Sequence, residues 1–371
     1  MALPISRLGA SRRYYRVLFF GTDEVSLETL TRLHASLLRR GPHAGLVTGL
    51  GVVCPGPRPQ GRGRAISPTP VGAYVAAAAP PLLPLFEVPY QLRDLAAWGG
   101  AGDSGGQWDV GVVVSFGYFL PPALLARLPL GAINMHPSRL PRYRGAAPVA
   151  RALLAGDAAT AVSVVDVHPA RFDAGRVLLQ EGVEVGAAEG AVALTARLAA
   201  RGGDAVMRTL AALPALRAAA APQDERAATP APKLRAEEAR VAWASCTAEA
   251  LLRRARAFEG SIGQCATLER GGGGGGGGGV RMNLLALAPA APEAAAALAA
   301  AAAPAPPPPG ALFCGPAGKP RGLFVACAGG GWVELKALQL EGGKAMSGAA
   351  FLNGLPARGR AAACDSGARL A

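Results

Sequence analysis

The chain has 371 residues, of which 51% are hydrophobic and 17% charged, with a formal net charge of +13. This length and apolar content predict two domains and exclude a wholly disordered chain. Every stretch of roughly 20 residues is interrupted by Gly, Pro or a charged residue, so a membrane span is not expected and neither is a membrane partner. The excess of cations predicts a polyanionic partner such as nucleic acid, with a basic organellar protein that has no such partner as the alternative.

The N-terminal residues 1–15 are expected to form a mitochondrial transit segment. The first acidic residue is Asp23, and the residues before it include several arginines and two serines. They contain no apolar stretch long enough for a secretory signal. The pattern therefore predicts a location in the mitochondrial matrix, with a frayed basic N-terminus as the alternative.

Residues 16–221 are predicted to form an α/β domain with an open, doubly wound, mostly parallel sheet. Residues 17–20 predict a buried strand, the Gly21-Thr22-Asp23 turn offers a helix cap, and leucines at helical spacing follow. A strand, a glycine turn and a helix in this order are typical of a parallel sheet. Further strands are predicted at 45–53, 110–115, 132–135 and 162–167, and helices at 123–128, 148–154 and 191–220.

Residues 222–233 are predicted to be a linker that leads into a second domain at 234–355. Residues 322–328 and 331–339 alternate between apolar and polar positions and are joined by glycine-rich turns, which predicts a small β-barrel of the OB-like type. The glycine tract and the alanine and proline tract lack a pattern that could pack, so they are expected to be disordered loops, and the end of the chain a loose tail. These three segments are 271–279, 286–310 and 356–371.

Six cysteines are spread along the chain without C-x-x-C spacing. No cysteine and histidine cluster has the spacing of a zinc site. Ordinary reduced thiols and no metal are therefore expected.

The most informative stretch is 131–148, with the sequence GAINMHPSRLPRYRGAAP. Asn134 and His136 are two residues apart on a predicted strand, so their side chains share one face. The strand ends before Pro137, which places the pair at the carboxyl edge of the sheet, where open α/β sheets bind ligands. An amide that donates to a developing oxyanion beside an imidazole that moves a proton favours acyl-type transfer. Two solvated polar residues at a strand end are the alternative.

The pattern N-x-H-x-S-x-L-P-x-Y-R-G resembles the signature of the folate-dependent formyltransferases, which pass a formyl group from 10-formyltetrahydrofolate to an amine. The resemblance implies a catalytic trio of Asn134, His136 and Asp173, the last within a D-x-G motif. It also implies that residues 115–121 form the loop that lines the pterin pocket. The implied contacts with the folate cofactor are Phe116, Gly117, Leu120, Ser138, Arg139, Leu140 and Pro141.

Family members that act on methionyl-tRNA carry a basic loop after the second strand, and residues 57–64 resemble it. The resemblance implies that Arg58, Arg62 and Arg64 contact initiator methionyl-tRNA. Residues 322–354 resemble the end of the tRNA-binding barrel of those members. The resemblance thus implies a monomeric enzyme that formylates methionyl-tRNA for the initiation of mitochondrial translation.

Some residues depart from the family pattern. Val25 stands where an aromatic residue is usual, Arg139 replaces a leucine, and residues 258–263 lack a common Asn-Pro-Trp-Pro run. These departures concern individual contacts and leave the trio intact. Three alternatives remain: a formyltransferase of the same fold that acts on a small amine such as glycinamide ribonucleotide, a formyltetrahydrofolate hydrolase, and a catalytically inactive RNA-binding protein.

Overall fold

The computed structural model describes residues 14–60, 65–78, 83–89, 108–269, 279–315, 322–354 and 369–370. By its internal contacts the chain divides into two compact units. The first consists of Met1–Ala152, Asp157–Ala187 and Ala193–Lys233, and the second of Leu153–Gly156, Ala188–Val192 and Leu234–Ala371.

The first part of the chain alternates strands and helices. Its strands are β1 (Tyr15–Gly21), β2 (Val47–Pro55), β3 (Arg58–Gln60), β4 (Ala65–Ser67), β5 (Leu85–Val88), β6 (Val110–Val114), β7 (Ala132–His136), β8 (Ala159–Asp166) and β9 (Val177–Glu184). Its helices are α1 (Glu24–Leu37), α2 (Pro70–Ala77), α3 (Pro122–Leu125), α4 (Pro148–Ala155), α5 (Ala191–Ala211) and α6 (Leu213–Ala219). No helix of the described residues combines the length and the hydropathy that crossing a membrane requires.

Seven of these strands form one sheet in the order β5-β2-β1-β6-β7-β8-β9 within the described residues. The strands from β5 to β7 run parallel, whereas β8 is antiparallel to both β7 and β9. Every residue of Val110–Val114 is buried, as expected of a strand that is covered on both faces. The predicted, mostly parallel α/β sheet is therefore confirmed, and it brings the carboxyl ends of β1, β6 and β7 to one edge.

The N-terminal strand begins at Tyr15, two residues earlier than predicted. Tyr15 is buried in β1 and pairs with Val47, so it forms part of the sheet. Tyr15 is buried although Arg16, the next residue, is exposed, as expected of a strand whose successive side chains point to opposite faces. Residues 1–13, which carry the rest of the predicted transit segment, lie outside the described residues.

The second part of the chain is mainly antiparallel sheet. Its strands are β10 (Gln264–Glu269), β11 (Val280–Pro289), β12 (Leu312–Cys314), β13 (Leu323–Ala326), β14 (Trp332–Leu340), β15 (Ala345–Ser347) and β16 (Arg369–Leu370), and its helices are α7 (Ala248–Ala257), α8 (Pro292–Ala301) and α9 (Gly348–Gly354). Six strands follow the order β12-β13-β14-β11-β10-β16, and β15 pairs with β14. The backbone N–H of Leu370 in β16 donates to Gly310 O, just before β12, at 2.8 Å. The two ends of the strand order therefore meet, in agreement with the predicted barrel-like second domain.

Two expectations for the low-complexity segments are wrong. The tract 286–310 was expected to be a disordered loop, but it contains the end of β11 and the helix α8, whose Leu298 packs with Phe313 and Trp332. Alanine has the highest helix propensity, and a proline at the first helical position fits the start of a helix. At the end of the chain, Leu370 is buried and pairs with β10, so the tail is not loose there. Residues 271–278 and 356–368 lie outside the described residues.

Replacing Leu298 with alanine is expected to lower the free energy of unfolding by about 2–5 kcal/mol, because it empties a packed site. Leu298 is 3% exposed, whereas Leu285 on β11 is 49% exposed. Leu285→Ala is the matched control, with an expected change within about 0.5 kcal/mol. Urea denaturation measures both variants. Equal and small losses would show that α8 adds nothing to the core.

Candidate active site

The structure brings the three predicted catalytic residues together at the carboxyl end of β7. His136 Nδ1 lies 3.4 Å from Asp173 Oδ1, and Asn134 Nδ2 donates to the same oxygen at 3.2 Å. The side chains of His136 and Asp173 are only 7% and 10% exposed. The carboxylate thus contacts both partners in a place that is largely shielded from water, where electrostatic interactions are strong.

Asp173 adopts a backbone conformation that most residues avoid. Its φ is 53°, and its Oδ2 accepts a hydrogen bond from the backbone N–H of Gly145 at 2.9 Å. Gly175, two residues later, faces Asp166 so closely that a Cβ would lie 1.6 Å from the Asp166 carbonyl oxygen. Only glycine fits there, which gives a steric reason for the D-x-G motif.

The hydrogen bonds of His136 fix the position of its proton. Nε2 lies 2.8 Å from the carbonyl oxygen of Tyr143, and a carbonyl can only accept, so Nε2 carries the hydrogen in the neutral ring. Nδ1 is then the nitrogen that faces Asp173. A carboxylate also only accepts, so this contact is most favourable when Nδ1 is protonated. Nδ1 is therefore the atom at which His136 can gain and lose a proton.

Tyr143 anchors the loop that supplies this carbonyl. Its hydroxyl donates to Asp157 Oδ2 at 2.8 Å, and its backbone N–H donates to Thr229 Oγ1 at 2.9 Å. Burial, reinforced by the hydrogen bond to Asp157, raises the pKa of Tyr143 to about 12. The phenol is therefore neutral at physiological pH and acts as a fixed donor.

The predicted pterin loop, 115–121, lies at the carboxyl end of β6. Phe116 and Leu120 are buried, and the Phe116 ring packs against Phe20 at 5.3 Å between ring centroids. Gly117 is exposed with a φ of 80°, and a Cβ built there would meet no atom within 4 Å. The two apolar side chains therefore belong to the core, and the backbone at Gly117 is the open part of the loop.

The second predicted folate segment, 138–141, is also largely committed to the fold. Ser138 is fully buried and its hydroxyl donates to Arg142 O at 2.7 Å, while Leu140 is buried. Pro141 is half-buried and Arg139 is exposed. Of these four predicted contacts, Arg139 presents the most accessible side chain. Cofactor contacts at 116–120 and 138–141 stay predictions.

The predicted basic loop begins as a hairpin. Arg58 is exposed on β3, which pairs with β4 through Arg58 and Ser67. Arg62 and Arg64 lie outside the described residues. The assignment of these arginines to tRNA therefore stays a prediction. Within the described residues, no group of three or more His, Cys, Asp or Glu side chains could hold a metal ion.

Sequence reasoning missed the part that residues 222–233 play in this site. They were expected to be a linker, but Gln223 Nε2 donates to the carbonyl oxygen of Asp173 at 2.8 Å, and Thr229 accepts from Tyr143. Gln223 is 50 residues from Asp173 in the chain. Helix and strand periodicity indicate only contacts between residues close in the chain. The sequence therefore contained no signal for the contact between Gln223 and Asp173.

Comparison with known proteins gave two family models and a set of curated relatives. The model described as formyl transferase matches residues 15–210, and the model for the formyl transferase C-terminal domain matches residues 233–356. The mitochondrial methionyl-tRNA formyltransferase of Homo sapiens is 37% identical over 249 residues, which cover 67% of this chain and 58% of the relative. The methionyl-tRNA formyltransferase of Phenylobacterium zucineum is 38% identical over 62% of this chain and 69% of its own length. The chain thus spans less than two thirds of the human relative.

Solved structures show the same fold at low sequence identity. HypX from Aquifex aeolicus, in complex with tetrahydrofolic acid, superposes with a TM-score of 0.51 at 15% identity and covers 91% of this chain and 47% of that one. The sugar 3N-formyl transferase WlaRD gives a TM-score of 0.52 at 9% identity, over 86% of this chain and 96% of that one.

Proposed function

Because this chain belongs to the formyl transferase family, we propose that it transfers the formyl group of 10-formyltetrahydrofolate to the amino group of methionyl-tRNA. One observation carries the proposal: at the carboxyl edge of the sheet, the Asn134 amide and the His136 imidazole both contact the Asp173 carboxylate. A hydrogen-bond donor, a proton carrier and an anion therefore lie together. The relatives named methionyl-tRNA formyltransferase support the choice of acceptor.

Asn134 provides the hydrogen bond that stabilises developing negative charge. Its side-chain amide has two N–H groups, and only one of them is needed for the bond to Asp173. The other can donate to the formyl oxygen as the acceptor amine attacks the formyl carbon. A donor fixed in this way contributes about 2.7–4 kcal/mol to the lowering of the barrier.

His136 moves the proton that the reaction displaces. The attacking amine must lose a proton, and the folate nitrogen that leaves must gain one. Nδ1 of His136 takes up the proton while Nε2 stays bound to Tyr143 O. The Asp173 carboxylate, 3.4 Å from Nδ1, stabilises the charged ring while it holds the proton.

The net charge of +13 supports a large anionic acceptor. Arg58, Arg62 and Arg64 would bind phosphates of the tRNA, and such contacts position the acceptor without reading its sequence. The protein would work as a monomer in the mitochondrial matrix on initiator methionyl-tRNA. Mitochondrial relatives from Homo sapiens and Mus musculus, at 37% and 38% identity, support this location.

The test offers labelled formyl from 10-formyltetrahydrofolate to methionyl-tRNA, uncharged tRNA and glycinamide ribonucleotide in parallel. We expect label on methionyl-tRNA alone, and its loss in the Asn134→Ala variant. Label on glycinamide ribonucleotide would mean that the acceptor is a small amine and not methionyl-tRNA. A protein that binds tRNA and transfers no label would be an inactive RNA-binding member of the family.

A further inference from the structure

Residues 222–233, here called the strap, contact two loops that hold the trio in place, residues 143–147 and residues 173–175. Gln223 begins this arrangement: its Nε2 donates to the carbonyl oxygens of Asp173 and Gly175, at 2.8 and 2.6 Å. One side-chain amide therefore binds the backbone on both sides of Ala174. These bonds fix the path of the chain that carries the Asp173 carboxylate.

The orientation of the Gln223 amide is itself fixed from the other side. Its Oε1 accepts from Arg144 Nε and from one terminal nitrogen of Arg144, at 3.1 and 2.8 Å. A guanidinium group can only donate, so the amide oxygen must face it and the amide nitrogen must face the two carbonyls. Arg144 is 14% exposed and pairs with Glu225 on the strap at 2.9 Å.

The strap then runs alongside the loop that follows β7. The backbone N–H of Arg144 donates to Thr229 O at 2.9 Å, and Ala231 N–H donates back to Arg144 O at 2.6 Å. A third bond runs from Ala147 N–H to Ala231 O at 3.1 Å. Residues 144–147 are thus paired with the strap as in a short strand.

This loop holds both ionisable members of the trio. The carbonyl oxygen of Tyr143 faces His136 Nε2, and the N–H of Gly145 donates to Asp173 Oδ2. Tyr143 and Asp173 have φ values of 64° and 53°, in the left-handed region, which costs about 1–2 kcal/mol for a residue such as tyrosine and less for aspartate. Such conformations persist only where the surroundings hold them.

The strap has little apolar burial of its own. Ala231 is its one buried residue, and the others are half-buried or exposed. Its attachment therefore depends mainly on hydrogen bonds, and most of them end on residues 143–147 and 173–175, while Arg151 of α4 donates to the carbonyl oxygens of Pro232 and Lys233 at its end. We propose that the strap positions the catalytic trio, and that Gln223 is the positioning residue for Asp173. The kinetic part of this proposal rests on the formyl transfer proposed above, whereas its geometric part does not.

The deciding variant is Gln223→Glu. A glutamate has the same shape and can still accept from Arg144, but as a carboxylate it cannot donate to the carbonyls of Asp173 and Gly175. We expect kcat to fall by about 10²-fold and the KM of both substrates to change by less than about threefold, because a displacement of about 1 Å affects the reacting geometry more than binding.

Gln264→Glu is the matched control. Gln264 is a buried glutamine of the second unit, with the same kind of partners: its Nε2 donates to Leu251 O at 3.2 Å and its Oε1 accepts from Arg254 Nε at 3.3 Å. This change should lower stability without a fall in kcat at a temperature where the protein is folded. A kcat effect shared by both variants would mean that Gln223 has only a structural role.

A second measurement does not depend on the reaction. The NMR chemical shift of the Gly145 amide proton reports the hydrogen bond to Asp173 Oδ2. Labelling arginine with ¹³C at the carbonyl and glycine with ¹⁵N selects the few glycines that follow an arginine, and Gly145 is one of them. We expect the Gly145 amide proton to move upfield in Gln223→Glu and to stay in place in Gln264→Glu. Gln223→Ala serves in the same way if the glutamate variant does not fold.

The two readouts separate the two proposals. If the unmodified protein transfers no formyl group, the proposed function fails. The Gly145 resonance alone then decides whether Gln223 positions Asp173. If transfer is observed, both a fall in kcat and a shifted Gly145 amide are required. An unchanged Gly145 amide or an unchanged kcat in Gln223→Glu would overturn the positioning role.

Discussion

Replacing His136 with alanine is expected to lower the kcat of formyl transfer by about 10²- to 10⁴-fold, the contribution of a positioned general acid–base group. The ring is nearly buried, and Nδ1 is 3.4 Å from Asp173. No other described histidine contacts the trio. Alanine therefore leaves the amine and the leaving nitrogen without a proton carrier. Single-turnover kinetics with labelled formyl groups measure this step directly.

The trio should behave as one unit. Asp173→Ala alone removes the anion that stabilises the charged ring, and the double variant with His136→Ala should be little slower than His136→Ala alone. His43→Ala is the control, because His43 lies half-buried in the turn after α1 and outside the site. Additive losses from the two single changes would mean that His136 and Asp173 act in separate steps.

Gly175→Ala is expected to be nearly as damaging, although it changes no side chain of the trio. The added Cβ would lie 1.6 Å from Asp166 O, a backbone atom that cannot rotate away. The loop that carries Asp173 must therefore move by more than about 1 Å, a displacement that can cost about 10²-fold in kcat. Overpacking should also lower the free energy of unfolding by about 1–3 kcal/mol.

Gly56→Ala controls for the general effect of adding a methyl group at a buried glycine. A Cβ at Gly56 would meet its nearest atom, Val88 O, at 3.5 Å, an ordinary contact distance. We expect kcat of this variant to stay within a factor of about two, as for a change that leaves the reacting groups in place. Activity assays and thermal unfolding of both variants separate loop displacement from loss of stability. Full activity in Gly175→Ala would show that the aspartate loop tolerates another path.

The sequence sufficed to predict the central strands and the place of Asn134 and His136 at the end of one of them. Residues 17–20 of β1 and all of β6 carry no polar side chain, because both faces of a central parallel strand are buried. The two-residue period of a strand put Asn134 and His136 on one face, and the end of β7 put them at the ligand-binding edge. These features are local, so the order of residues is enough to show them.

The C-terminal tract shows where local patterns misled. The alanines and prolines of 286–310 resemble low-complexity linker, yet α8 forms there because Leu298 has an apolar cluster to pack against. The length and composition of the tract gave no information about that cluster, whose other buried members are Ala311, just before β12, and residues of β12, β13 and β14. The helix is therefore decided by tertiary packing and not by its own sequence alone.

The sequence by itself determined which residues are available for chemistry, because residue type and strand period are properties of the chain. The tertiary structure alone decided how they meet. Asn134 and Asp173 are 39 residues apart, and Arg144 and Gln223 are 79 apart. Such hydrogen bonds depend on how distant loops cross after the sheet has formed. The left-handed backbone of Asp173 has the same origin, because only its surrounding hydrogen bonds compensate for its cost.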